Sequence, residues 1–127
     1  MSNTSAFEYL YQEELYVVRS RTLVLINKEW NEFTEEQRIL LSKILASVKL
    51  SLSSVQVLKR GDLSVSDLMS LNPQRVISFG VQISPIQKLY EFVPLDGIPI
   101  IVSDALDQLD DLKKKNLWVA LRQMFGI

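Results

Sequence analysis

Two rhythms of apolar residues alternate along the chain. Between Thr22 and Arg60 they succeed one another as strand, loop, helix, loop and strand. Thr22-Leu23-Val24-Leu25-Ile26-Asn27 is a short apolar run ending on a turn residue. From Thr34 to Val48 the apolar residues Ile39, Leu40, Ile44, Leu45 and Val48 recur at spacings of three and four. That period predicts a helix with those five side chains on its buried face. Val55-Gln56-Val57-Leu58 is apolar again and runs into Lys59-Arg60-Gly61. Strand, crossover helix and strand make a βαβ unit, whose strands lie parallel in one sheet. Thr34-Glu35-Glu36-Gln37 predicts the helix start as a capping box. The Thr hydroxyl accepts from the Gln37 amide, and the Gln37 side chain reaches back.

Other elements follow from the same rules. Leu15-Tyr16-Val17-Val18 is a strand candidate so close to Leu23–Ile26 that an antiparallel hairpin is expected, making the sheet mixed. Gly61-Asp62 marks a turn. Ser64 and Asp67 announce a short helix that Asn72-Pro73 ends. Arg75 to Gly80 reads as a strand, and Ser84-Pro85 breaks the chain. Leu89 to Val93 alternates loosely, and Pro94-Leu95-Asp96-Gly97 reads as a turn. Pro99 has no amide to donate, so the apolar run Ile98–Val102 is an edge or begins at Ile100. Leu106 and Leu109 suggest a short helix after Ser103-Asp104. Asp110-Asp111 offers a cap for a last helix whose apolar stripe is Leu117, Trp118, Leu121, Met124 and Phe125. That stripe places Trp118 in the core.

The first fourteen residues differ in kind. Met1 to Ala6 is small and polar, a composition that favours disorder. Phe7, Tyr9, Leu10 and Tyr11 follow, with Glu8, Glu13 and Glu14 among and after them. The first basic residue is Arg19. Phe7, Leu10 and Tyr11 fall at i, i+3 and i+4. From pattern alone they fit first a helix sharing the domain core, and second an acidic, aromatic arm that orders on a partner.

Composition narrows the chemistry. The 127 residues are 47 % hydrophobic and 23 % charged, with a net charge of −1. That suits one globular domain. A protein that grips nucleic acid by neutralising phosphates carries a basic excess, so extensive direct binding is not expected. There is no cysteine and no histidine. Disulfides, thiolate chemistry and the commonest general base and metal ligand go with them. No apolar run approaches the ~20 residues that cross a bilayer. The start lacks the basic and apolar regions of a signal peptide, and a bacterial-type cytoplasm is expected.

No catalytic motif stands out. A phosphoacceptor receiver domain needs acids at its first strand end, where this chain has Asn27-Lys28, with Lys59-Arg60 at the next. Glycines at 61, 80, 97 and 126 supply no phosphate-cradling loop. Asp104, Asp107, Asp110 and Asp111 lack calcium-loop spacing and read as caps and a solvated face. Lys113-Lys114-Lys115 beside them reads as solvated too. Trp30 is the exception. It sits in a polar loop beyond a strand end, where α/β folds place ligands and partners, though it also suits covering a sheet edge.

The order of the pieces resembles the psi subunit of bacterial DNA polymerase III holoenzyme. Tyr9-Leu10-Tyr11-Gln12 is similar to that family's hydrophobic, glutamine-bearing N-terminal peptide, and Leu15-Tyr16-Val17-Val18-Arg19 to its strand ending on Arg. Leu23–Ile26, the helix Ile39–Leu45 and Ser54–Leu58 follow in the family's order. Ser103-Asp104-Ala105-Leu106 and Leu117-Trp118 resemble a Ser-x-Ala-Leu and a Leu-Trp in its final helices. Residues 75 to 101 depart from the family, and the stretch from Leu106 to Leu117 is shorter. The basic pair Lys114-Lys115 before Trp118 also resembles uracil-DNA glycosylases, whose three-layer fold the psi subunit shares. Those enzymes need a Gly/Pro loop and a His-Pro-Ser segment. Lys28-Glu29-Trp30-Asn31 and Val102-Ser103-Asp104 supply neither.

The expectation is therefore an α/β domain over residues 15–127. It has three α/β/α layers, a mostly parallel mixed sheet and a uracil-DNA glycosylase-like body, preceded by a flexible partner-binding arm over 1–14. The resemblance implies a non-enzymatic adaptor without cofactor or metal. Its arm docks on a clamp-loader subunit, and its body holds a chi-like subunit that contacts single-stranded DNA-binding protein. Phe7, Tyr9, Leu10, Tyr11 and Trp30 are the expected partner-binding residues. Two other classes stay open. One is a degenerate glycosylase-like domain binding nucleic acid through Lys113, Lys114 and Lys115. The other is a structural homodimer.

Overall fold

The computed structural model describes residues 22–84 and 86–126. In chain order these form β1 (Thr22–Ile26), α1 (Glu35–Ala46), β2 (Gln56–Lys59), β3 (Asp62–Leu63) and α2 (Val65–Leu71). β4 (Arg75–Phe79), β5 (Gln82–Ile83), β6 (Val93–Leu95), β7 (Ile98–Ser103) and α3 (Asp111–Phe125) complete the order. Single turns of 3₁₀ helix lie at Trp30–Glu32, Leu52–Ser54 and Leu106–Gln108. Among the described residues the main sheet has five strands in the order β2-β1-β4-β7-β6, and β3 and β5 form a separate parallel ladder.

β1 is parallel to β2 on one side and to β4 on the other, and β4 is parallel to β7. The βαβ unit expected from the sequence is the left half of this sheet. Leu23 to Ile26 pair with Gln56 to Lys59 and simultaneously with Val76 to Phe79. Both edges of β1 are therefore occupied, and the hairpin expected with Leu15–Val18 has no edge to form on. Leu15–Val18 themselves lie outside the described residues. The sheet is mixed for another reason: β6 runs antiparallel to β7.

Alternating side chains of the strands serve two cores. Val24, Ile26, Ile77, Phe79 and Ile101 face α1 and α3, where Leu41, Leu45, Leu117, Leu121 and Met124 meet them. Leu23, Leu25, Val76, Ile100 and Val102 face Leu63, Leu68, Val81, Ile83 and Ile86. Two helices thus cover one face, and α2 with the short ladder covers the other. Cover on both faces is why Leu23–Ile26 reads as an unbroken apolar run. Each such buried side chain contributes about 1.5–3 kcal/mol.

The predicted helix starts are present. Gln37 N donates to Thr34 Oγ1 (3.2 Å), and Thr34 N donates to Gln37 Oε1 (3.0 Å). Ser64 caps α2, which ends on Asn72 in the left-handed conformation. Four expectations are corrected. Asp62-Leu63 is a strand, not only a turn. Pro94 and Leu95 belong to β6, and only Asp96-Gly97 turns, both at positive φ, as a two-residue hairpin requires. Pro99 lies inside β7, opposite Pro94 on the edge strand. On α1, Leu41 is buried where Ile39 was expected: Ile39 is 46 % exposed, while Leu40 and Ile44 are half-buried. The buried face is rotated toward Leu41, Leu45 and Val48.

Candidate functional site

Two regions merit attention, and they are built differently. The first is the carboxyl rim of the sheet, where open α/β sheets place ligands at the point where strand order reverses. Here the reversal lies between β1 and β4, so the rim consists of Asn27, Gly80 and the residues after β7. Gly80 sits at φ +78, and a Cβ on it would lie 2.8 Å from Ala105 Cβ. Its amide donates to the Ser103 carbonyl at 2.9 Å. Ser103 is buried, Ala105 abuts Gly80, and Leu106 enters the core. The Ser-x-Ala-Leu segment thus closes the end of the sheet. Asn27 Oδ1 is buried beside this closure and has no hydrogen-bond partner among the described residues. Next to it, Gly80 to Gln82, Ile86, Gln87, Leu89 and Val102 to Ala105 border a depression of about 420 Å³.

The rim's charged groups are paired with one another. Lys28 reaches Asp107 at 3.3 Å, and Lys59 reaches Glu29 at 3.8 Å. Lys113 lies 3.5 Å from Asp104 and donates to the Gln108 carbonyl. Asp104 also accepts from the Tyr90 hydroxyl. Burial, then this bond to the carboxylate, push the Tyr90 phenol up to about 12. Tyr90 takes φ +59, and its amide donates to the Val102 carbonyl at 2.9 Å. A tyrosine held protonated beside a paired carboxylate is a tether between loop and strand end, since it offers neither a base nor a nucleophile near neutral pH. Among the described residues no group of three or more acids is placed to hold a metal ion. Three of the four aspartates seen in the sequence divide their work. Asp110 caps α3 by accepting from Lys113 N (2.8 Å), and Asp104 and Asp107 take the rim lysines. Lys113 is thus paired and half-buried rather than fully solvated.

Trp30 stands where the sequence placed it, just past β1. It is half-buried, edge-on to Phe33 with centroids 6.0 Å apart, and Arg38 lies over its ring. It packs on the main core and also borders a cavity of about 290 Å³ with Ile26, Glu29, Leu52, Val57 and Lys59. Phe7, Tyr9, Leu10 and Tyr11 lie outside the described residues.

The second region is a groove between α1 and α3. Both helices run back beneath the sheet from its carboxyl rim, so they lie side by side. Leu40, Ile44, Leu117, Trp118 and Leu121 line a space of about 220 Å³, flanked by Lys43, Ser47 and Lys114. Leu117 is 1 % exposed but Trp118 is 37 % exposed. Trp118 is thus a surface residue of this groove and not the core residue its stripe suggested. Adjacent helical positions point about 100° apart, so the Leu-Trp pair sends one side chain into the core and the other to the groove. Arg122 lies 6.0 Å from the Trp118 ring centroid. Sequence reasoning missed this groove because it depends on how two helices separated by residues 47–110 come to lie together.

No helix among the described residues is long and apolar enough to cross a membrane. No family model and no curated protein sequence matches the chain.

Proposed function

We propose that this protein is a non-enzymatic adaptor of the replicative DNA polymerase, similar to the psi subunit, built on a uracil-DNA glycosylase-like body. It works in the cytoplasm and joins a clamp-loader subunit to a chi-like subunit that contacts single-stranded DNA-binding protein. The observation that supports the reading best is Trp118, a large aromatic kept at the surface of an apolar groove while its neighbour Leu117 fills the core. Aromatic anchors in apolar pockets carry most of the energy of protein interfaces. The Leu-Trp pair is also among the residues that resemble the psi family. The paired charges of the rim favour the same reading, because Asp104, Lys113, Lys28 and Asp107 serve to close the fold.

Phe7, Tyr9, Leu10 and Tyr11 are the docking anchors toward the clamp loader, and Trp30 is a second contact at the rim. The test is binding of the full chain, and of a Phe7→Ala/Leu10→Ala/Tyr11→Ala chain, to a purified clamp-loader subunit. Loss of three anchors is expected to weaken binding by roughly 30-fold or more, the usual consequence of removing a hot spot. Equal affinities, or no binding by either chain, overturn the reading.

A further inference from the structure

We propose that the groove between α1 and α3 is the resting dock of the chain's own N-terminal arm, with Phe7, Leu10 and Tyr11 as the inserted side chains and Lys43 and Lys114 facing its glutamates. The regulatory consequence rests on the adaptor reading: a partner that uses the same anchors must first displace the arm.

Size supports a side-chain occupant. Small-molecule sites commonly run to about 300–1,000 Å³, whereas this groove offers about 220 Å³. Its walls are Leu40, Ile44, Leu117, Trp118 and Leu121, which suits an aromatic or leucine side chain. A segment with anchors at i, i+3 and i+4 is the usual complement of an apolar groove between helices.

Charge supports this occupant in particular. Lys43 and Lys114 stand at the groove, and neither takes part in an ion pair among the described residues. Arg122 lies over Trp118. The arm carries Glu8, Glu13 and Glu14 and no basic residue before Arg19. An acidic segment on a basic-flanked groove is favourable. A second copy of the same groove, with its own lysines, is repelled.

Reach supports it too. β1 begins at Thr22, level with the start of β2, because Leu23 pairs with Gln56. α1 returns to that end of the sheet, so Ser47, at the end of the groove, lies on the side from which the arm departs. Residues 12–21 separate Tyr11 from Thr22. At ~3.3–3.6 Å per residue they span up to about 35 Å, against about 18 Å for all of α1.

The chain has no cysteine, so one introduced pair reports on one contact. Gln12→Cys with Ser47→Cys tests the dock. Gln12→Cys with Met69→Cys is the control, since Met69 is exposed on α2, across the sheet. In the full chain under mild oxidation, the dock pair is expected to close within one molecule about tenfold faster than the control, as a raised local concentration requires. Lys43→Glu/Lys114→Glu is expected to remove that advantage, and added clamp-loader subunit to slow the closure. Equal rates for the two pairs, or cross-linked dimers alone, overturn the dock. Should the cysteine pair not fold, Trp118 emission answers the same question in a Trp30→Phe chain. A red shift on Phe7→Ala/Leu10→Ala/Tyr11→Ala supports the dock, and unchanged emission overturns it. Failure here leaves clamp-loader binding intact, and failure of clamp-loader binding leaves the cross-link intact, so the two proposals fall separately.

Discussion

Gly80 and Ala105 occupy one another's space at the end of the sheet: the first has no room for a Cβ because the second's lies 2.8 Å from where it would stand. This contact joins the end of β4 to the segment after β7 and sets the path by which the chain leaves the rim for α3. Gly80 also needs its freedom at φ +78. Replacing it with Ala therefore brings both a backbone and a packing penalty, together about 2–4 kcal/mol. Urea unfolding should show this loss for Gly80→Ala. Adding Ala105→Gly should recover part of the packing loss, since Ala105 Cα and Asn27 Nδ2 still lie 3.0 and 3.1 Å from the added Cβ, and leave the backbone part of about 1 kcal/mol. A double variant no more stable than Gly80→Ala alone would contradict the contact.

Leu117 and Trp118 are neighbours with different duties. Leu117→Ala empties a core position and should destabilise by about 2–5 kcal/mol. Trp118→Ala removes a partly exposed ring and should cost roughly 1–2 kcal/mol, while weakening whatever fills the groove. Equilibrium unfolding of both variants checks the order, and a larger loss at Trp118 would return it to the core.

The Tyr90 tether carries a pH signature. Its phenol is pushed up to about 12 by burial and by Asp104, against about 10 when the chain is unfolded. A raised value means the protonated form is favoured by folding. The stabilisation is complete below pH 10 and is lost as pH climbs toward 12. The stability difference between the native chain and Tyr90→Phe should therefore be flat below pH 10 and shift against the native chain above it. A difference that does not change between pH 9 and 12 would show that Tyr90 is not held this way.

Thr34 tests the start of α1. It accepts from Gln37 N at 3.2 Å, and Gln37 returns the bond to Thr34 N. Thr34→Ala should cost about 1 kcal/mol. Thr34→Ser, which keeps the hydroxyl, should cost much less, and thermal unfolding separates the two.

Local chemistry was legible without coordinates wherever a few adjacent residues decide the outcome. The capping boxes at Thr34 and Ser64, the cap at Asp110 and the βαβ unit of β1, α1 and β2 are of this kind. Each depends on a hydroxyl, a carboxylate or an apolar period acting within one turn or one strand. Trp30 was also placed correctly beyond β1, because a polar loop after an apolar strand leaves the sheet at its carboxyl end.

What the sequence could not decide depends on partners far away along the chain. A second strand beside β1 was open to Leu15–Val18 until β2 and β4 took both edges, since hydrogen-bonding edges are filled by whichever strand packs best. Trp118 fits an apolar stripe equally well whether that stripe faces a core or a groove, and only the side-by-side placement of α1 and α3 separates the two. Lys28 and Asp107, Tyr90 and Asp104, and Gly80 and Ala105 carry no mark of each other in the sequence. They meet because a parallel sheet brings the carboxyl ends of β1, β4 and β7 to one rim, and parallel pairing is a long-range choice that no local pattern encodes.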